Sequence, residues 1–488
     1  MALRLCSRRA TGALSARSWP PRLHSVRWRN ASTATASSGS NLSEEMQKNI
    51  HREASLSNPD PSADSQTSAL VNDQKPYLVP TYVRPPPMFV KGEGCYLWDI
   101  ENRRYLDFTA GIAVNSLGHA DPELTKLIAQ QAKTLIHSSN LYHNPWIGAL
   151  SKLLVSETIA SGGMSTASSV FISNSGSEAN EAALKFARKV GKTRSSPSGP
   201  PKTDIVSFHN AFHGRTLGSL SATPNPKYQA PFLPLLPGFS AIPYDSPASS
   251  LAEHITPATA GVIIEPIQGE GGIHSASPTF LHALRDRCTD VGAVLIYDEI
   301  QCGLSRTGSL WAHSAPGLPH PDVLTTAKAL GNGYPIGATL VSADVNAAIA
   351  TGDHGTTFGG NPLACRIAHH VLARLAAPDL QAHVRDLERR FRAHFARLRD
   401  RFPRVVKEVR GRGLILGLQL TQDPGPVVTA ARERGVLVIT CGTNTLRFVP
   451  PLVLSAEQVD AGMAVVEEAM EVVFGEGEDV EGTRLKGK

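Results

Sequence analysis

Four short runs, Val170–Ile172, Ile205–Phe208, Gly261–Glu265 and Ala293–Tyr297, are apolar at nearly every position and are separated by helical or loop stretches. Successive strand residues face opposite sides, so such a run must be covered on both faces. Strands of that kind alternating with helices predict an α/β chain with a mainly parallel sheet between helical layers. The intervening segments agree. Asp121-Pro122 supplies a helix N-cap and first turn, with Leu124, Leu127, Ile128 and Leu135 on one face. After Ile172, the residues Ala179, Ala182, Ala183, Phe186 and Val190 repeat at helical spacing.

The chain has 488 residues, 41% hydrophobic and 19% charged, enough for two or more domains over a large core. No apolar run approaches the roughly 18 residues needed to cross a bilayer, so no membrane segment is expected. The net charge of +5 is concentrated at one end: residues 1–43 hold seven arginines, no lysine and no acid. Without that stretch the balance turns slightly negative, which gives no electrostatic case for nucleic acid. An Arg- and Ser-rich leader free of acids has the composition of a mitochondrial transit peptide, for import to the matrix, and lacks the unbroken apolar core of a secretory signal. The six cysteines are scattered without a C-x-x-C pair and read as free thiols in a reducing compartment.

Residues 44–79 are polar and read as a linker, with structure beginning near Pro80. Two short strands about Glu101-Asn102 form a small antiparallel unit, and 80–117 is assigned to a small domain on that basis. Residues 118–370 hold the α/β pattern, interrupted at 192–202 by a Ser/Pro-rich surface insertion. In 371–474 the character changes: Leu380, Val384, Leu387, Phe391, Phe395, Leu398 and Phe402 mark a long amphipathic helix, Leu414–Leu420 and Val436–Thr440 read as strands, and Ser455 with Gln458 opens a capped helix. This C-terminal α+β part is grouped with 80–117, and 475–488 is expected to be a disordered tail.

Several stretches carry chemistry. Lys328 sits among small residues beside a Gly-rich turn, where a poorly hydrated amine is easier to find neutral and able to form an imine; alone it reads equally as an ordinary lysine. Asn174-Ser-Gly-Ser177 links a strand to a helix and suits a phosphate at the positive helix end, although Ser175 and Ser177 also serve as simple caps. Asp298 stands at the carboxyl end of a buried strand, where ligands of α/β sheets bind. It invites comparison with the magnesium-holding strand of ATPases, but no G-x-x-x-x-G-K-[ST] loop accompanies it, and a protonated pyridine nitrogen fits it too. Phe212 can cover a flat ring and Arg215 can clamp a carboxylate. His209 and His213 lack a third partner motif, so no metal is expected. Gly411–Gly417 leads into a strand, which rules out a dinucleotide loop.

The set S-G-S-E-A-N-E, F-H-G-R-T, E-P-I-Q-G-E-G-G, Y-D-E-I-Q-C-G-L-S-R-T-G, T-T-A-K-A-L-G-N-G-Y-P-I-G and H-G-T-T-F-G-G-N-P-L-A, in this order from about Tyr82 to Val473, strongly resembles the class III aminotransferases. The resemblance implies the type I fold of pyridoxal-phosphate transferases, pyridoxal 5'-phosphate as cofactor, and a homodimer with active sites at the interface. It assigns Lys328 as the lysine that holds the cofactor, Asp298 as partner of its ring nitrogen and Gln301 as partner of its phenolic oxygen. Gly176 and Ser177 match the phosphate cup, Phe212 the ring-stacking residue, and Thr357 a phosphate contact from the neighbouring subunit, with Thr356 near substrate. Arg215 and Arg447 match the pair that grips glutamate or 2-oxoglutarate, and Glu270 the carboxylate that gates Arg447. Tyr82 matches an early tyrosine near substrate. Where ornithine-specific members carry S-S-Y-S-A-V, this chain has Ala110-Gly-Ile-Ala-Val114, which leaves room for an acyl group. The implied donor is N2-acetylornithine and the acceptor 2-oxoglutarate, with ornithine, 4-aminobutyrate or another ω-amine as the alternatives.

Overall fold

The computed structural model describes residues 58–195, 199 and 201–475; the proposed leader, the terminal tail and most of the insertion after Ser195 lie outside them. Seven strands form the main sheet, in spatial order Ala167–Ser173, Gly337–Ser342, Val323–Thr326, Val294–Asp298, Thr259–Ile264, Asp204–Phe208 and Phe239–Ile242. All run parallel except Gly337–Ser342, which is antiparallel to both neighbours. Thr259–Ile264 and Val294–Asp298 are buried at every residue, which is why the sequence shows unbroken apolar runs there. The 18-residue helix Gly176–Thr193 buries Ala179, Ala182, Ala183, Phe186 and Val190 against the sheet.

Two four-stranded sheets accompany the main one. Phe89–Glu93, Tyr96–Asp99 and Arg104–Asp107 form an antiparallel meander, and Val436–Leu437 adds in parallel to its last strand. Val406–Arg412, Ile415–Leu420, Thr445–Phe448 and Ile439–Cys441 make the other, antiparallel throughout. The run expected as one strand at Val436–Thr440 therefore divides between two sheets, because buried Val438 carries the chain from one to the other. The helix Pro378–Arg401 buries Val384, Leu387, Phe391, Phe395 and Leu398, as its spacing implies. Ser455 and Gln458 form the expected reciprocal cap on Ala456–Phe474.

Structure does not wait for Pro80. Gln66–Gln74 is helical with Ser65 as its cap, Arg432 makes two hydrogen bonds to Asp60, and the Asn58 side chain donates to the Arg104 carbonyl. A polar segment that cannot build a core of its own is held here by caps and ion pairs to the body. The insertion is likewise anchored at its far end: Lys202 is buried and its ammonium donates to the carbonyls of Pro257 and Val291 at 3.0 and 2.6 Å. Among the described residues no helix is long and apolar enough to cross a membrane.

Phe108, Phe391, Phe395 and Phe448 pack ring on ring, with centroids 5.2–6.2 Å apart, where N- and C-terminal segments meet. The helix Ala456–Phe474 comes so close that a Cβ at Gly462 would stand 2.2 Å from Phe108. Phe391→Ala should cost about 3–5 kcal/mol, read by urea unfolding; a loss below about 1 kcal/mol would show that the cluster does not hold these segments together.

Candidate active site

The carboxyl ends of the central strands and the loops that follow them enclose a cavity of about 310 Å³. Its walls include the Asn174–Ser177 turn, Phe212–Gly214, Glu265, Asp298 with Ile300 and Gln301, Lys328, and Gly333–Ile336.

At its base Asp298 is 3% exposed, and both oxygens are engaged. Oδ2 accepts from Asn180 Nδ2 at 2.8 Å and faces His213 Nδ1 at 2.7 Å; Oδ1 accepts from the Ile300 amide at 3.1 Å. With the carboxylate as acceptor, His213 carries its proton on Nδ1, which leaves its buried Nε2 without a hydrogen-bond partner. Asn180 is itself fixed, donating to the His213 carbonyl and accepting from Thr325 Oγ1. The neighbouring Glu299 is fully buried, accepting from the amides of Ala312 and His313, and is absent from the cavity wall. The Asp-Glu pair therefore does not present two acids to one ligand, against the ATPase reading.

Lys328 follows the strand Val323–Thr326 on a short 3₁₀ turn and sits at φ 39°, a left-handed backbone costly for a residue with a side chain. Burial, with nearby Arg447 adding, pushes its amine down to about 8, while Asp298, Glu265 and Glu270 hold it up. Opposite, Ser175 Oγ caps the helix Gly176–Thr193 by accepting from the Glu178 amide. Ser177 instead accepts from the Arg215 amide, so only one of the two serines is the helix cap. A Cβ at Gly176 would meet Ile300 at 2.9 Å, so the positive helix end is open to a ligand only with glycine there.

Beyond the cavity, Arg447 pairs with Glu270 at 2.9 Å and also donates to Gln301 Oε1 at 3.3 Å. The Arg447 side chain is 3% exposed and that of Glu270 34%. Arg215 is exposed, its guanidinium 3.5 Å from the centre of the Tyr228 ring and 5.5 Å from that of Phe212. Thr356 Oγ1 accepts from Asn174 Nδ2, whereas Thr357 is exposed and outside the cavity wall. Tyr82 is 70% exposed and stands on the surface with Arg84 near its ring; the structure does not bring it to the cavity. Sequence reasoning missed Asn180, Glu265 and Ile300, and considered His213 only as a metal ligand. Glu265, an acid directly after an apolar run, was the one visible signal. Among the described residues no group of three or more His, Cys, Asp or Glu side chains is arranged to hold a metal ion.

An anion seat at a helix end, a buried acid at the base and a depressed amine between them fit a phosphorylated pyridine aldehyde in charge and shape. Together with the sheet topology, they define a pyridoxal-phosphate-dependent transferase of fold type I. The family model for aminotransferase class-III matches residues 79–470. A mitochondrial acetylornithine aminotransferase of Neurospora crassa is 59% identical over 448 residues, 91% of this chain and 96% of that protein. One from Saccharomyces cerevisiae is 44% identical, covering 85% and 98%. Among solved structures, the ornithine aminotransferase of Toxoplasma gondii ME49 superposes with a TM-score of 0.78 at 30% identity, over 89% of this chain and 99% of that one. The N-acetylornithine aminotransferase of Stenotrophomonas maltophilia K279a gives 0.69 at 34%, over 83% and 99%. The chain belongs to the class III aminotransferases, enzymes that use pyridoxal phosphate to move an amino group between small molecules.

Because Lys328 loses its proton near pH 8 rather than at the usual 10.5, cofactor uptake by stripped protein should quicken from about pH 7 to about pH 9 and then level off. Absorbance near about 420 nm follows it. A rate still climbing steeply above about pH 10 would mean the amine is not depressed.

Proposed function

We propose that this enzyme transfers the terminal amino group of N2-acetyl-L-ornithine to 2-oxoglutarate, giving N-acetyl-L-glutamate 5-semialdehyde and L-glutamate for arginine biosynthesis in the mitochondrial matrix. The observation that carries the exchange between a one-carboxylate donor and a two-carboxylate acceptor is the Arg447–Glu270 pair beside the Lys328 cavity. A donor with one carboxylate needs only Arg215, so Arg447 must be neutralised by the protein; the acceptor has two, and Glu270 must then release Arg447. An ion pair with one buried and one partly exposed member can make that exchange at modest cost. The names of the Neurospora and Saccharomyces relatives support both substrate and compartment. So does the absence of a tyrosine at Ala110–Val114, whose Val114 lines the cavity.

Bound pyridoxal phosphate supplies an electron sink for the carbon that bears the amino group. Asp298 would keep the ring nitrogen protonated, its own charge held in place by Asn180 and His213. Gln301 would meet the phenolic oxygen, Phe212 would cover the ring, and Gly176 with Ser177 would receive the phosphate. Lys328 would hold the cofactor through its Nζ, and the same amine, when free, would serve as the base that holds and returns a proton there. Tyr82 stays a substrate contact only if the surface carrying it is covered by another chain.

Thr357 of the partner subunit completes the phosphate seat in a homodimer. In support, Asn140 donates to the carbonyls of Thr356 and Gly359, tying that loop to the segment bearing Leu141 and Tyr142. Leu141, Tyr142 and Phe358 are 86%, 71% and 62% exposed, large apolar side chains beside the exposed Thr357. Residues 118–370 form the cofactor-binding domain, and 80–117 with 371–474 the small one; the pairing of Val436–Leu437 with Arg104–Asp107 supports that grouping.

The test is a comparison of kcat/KM among acetylornithine, ornithine and 4-aminobutyrate, with 2-oxoglutarate as acceptor. Acetylornithine should lead by at least about tenfold, a difference of about 1.4 kcal/mol in transition-state binding; preference for free ornithine would refute the choice. Lys328→Ala should lower kcat by roughly three orders of magnitude or more, since it removes both anchor and proton carrier.

A further inference from the structure

Glu265 follows the buried strand Thr259–Ile264, lines the cavity and is 5% exposed. Nothing in the roles assigned above uses it. Its two carboxyl oxygens reach two different walls: Oε2 accepts from the Phe212 amide at 3.0 Å, and Oε1 from the Gly269 amide at 3.1 Å. Phe212 lines the cavity and is the residue assigned above to cover the cofactor ring, and Gly269 immediately precedes Glu270. That second wall leaves no slack, because a Cβ at Gly269 would stand 2.3 Å from the Gln301 side chain, the group that accepts from Arg447. The backbone of Glu265 is pinned as well, its carbonyl accepting from Tyr244 Oη at 2.9 Å.

We propose that Glu265 is a positioning residue that ties the ring-covering wall to the Gly269-Glu270 loop, and so sets how readily Glu270 leaves Arg447 when a second substrate carboxylate arrives. The inference rests on the aminotransferase reading and on the gating role of Glu270. A carboxylate is the only side chain of this length with two acceptor atoms, so glutamine can hold one wall but must turn its NH₂ toward the amide of the other. The groups facing Glu265 are His213, Asp298, Tyr244, Cys302 and Lys328. Burial, with Asp298 adding and His213 opposing, pushes its carboxyl up, so the tether carries its own proton equilibrium.

The experiment uses full-length holoenzyme and follows each half-reaction separately by cofactor absorbance, with acetylornithine alone and with 2-oxoglutarate alone, across pH. Glu265→Gln should retain the cofactor and raise the half-saturating 2-oxoglutarate concentration about tenfold, with less than about threefold change in the amine half-reaction. Its pH profile for the oxo-acid half-reaction should also be flatter than that of the parent enzyme. Glu265→Gln combined with Glu270→Gln should show less than the sum of the two separate effects on 2-oxoglutarate. Equal loss in both half-reactions, no change in either, or simple additivity overturns the proposal. If the parent enzyme prefers free ornithine, the substrate assignment falls instead, and the oxo-acid comparison still decides the role of Glu265.

Discussion

A carboxylate at the end of a fully buried strand is tolerated only if its charge is met on every side, since an unpaired buried ion costs several kcal/mol. Asp298 meets that condition through His213, Asn180 and the Ile300 amide. Asn180 and His213 lie on different elements, and each is placed by a further contact. Asn180 projects from the helix whose amino end forms the anion seat, and also takes the Thr325 hydroxyl three residues before Lys328. One charge thereby registers the phosphate end of the site, its acidic base and its lysine against one another.

The outer part of the site follows a different logic. Arg447 comes from the antiparallel sheet Val406–Phe448, is almost fully buried, and meets an acid that is one-third exposed. A pair of this kind can be separated by an incoming carboxylate, whereas the Asp298 network, whose side-chain partners Asn180 and His213 are both buried, stays together. The joint between the segments that carry these two halves is Arg306. It is wholly buried, its guanidinium is pushed down to about 9 by desolvation, and it donates to the carbonyls of Leu414 and Pro450 and to Ser116 Oγ. Three stretches far apart in sequence are thus fastened by one side chain.

The core strands and helices were legible because burial on both faces leaves a local signature: Val294–Tyr297 is apolar throughout, and Pro378–Arg401 repeats at helical steps. The strands Phe239–Ile242, Val323–Thr326 and Gly337–Ser342 were not singled out, because Ser, Thr, Gly and Ala blur the pattern there. Gln66–Gln74 escaped for the opposite reason. Its contact to the body is polar and non-local, Thr67 bonded to Glu101, and the segment just before it is held by Asp60 on Arg432; composition cannot report on partners tens to hundreds of residues away.

By itself the chain's order of residues determined the α/β class, the family and the identity of the lysine, acid and arginines that motif spacing makes recognisable. Those are properties of short stretches, and local chemistry is written into them. Which side chains stand around them was decided only by folding. His213 beneath Asp298, Glu265 on the Phe212 amide, and Glu270 on Arg447 are pairs separated by tens to hundreds of residues, brought within about 3 Å by sheet order and by buried charges that had to find partners.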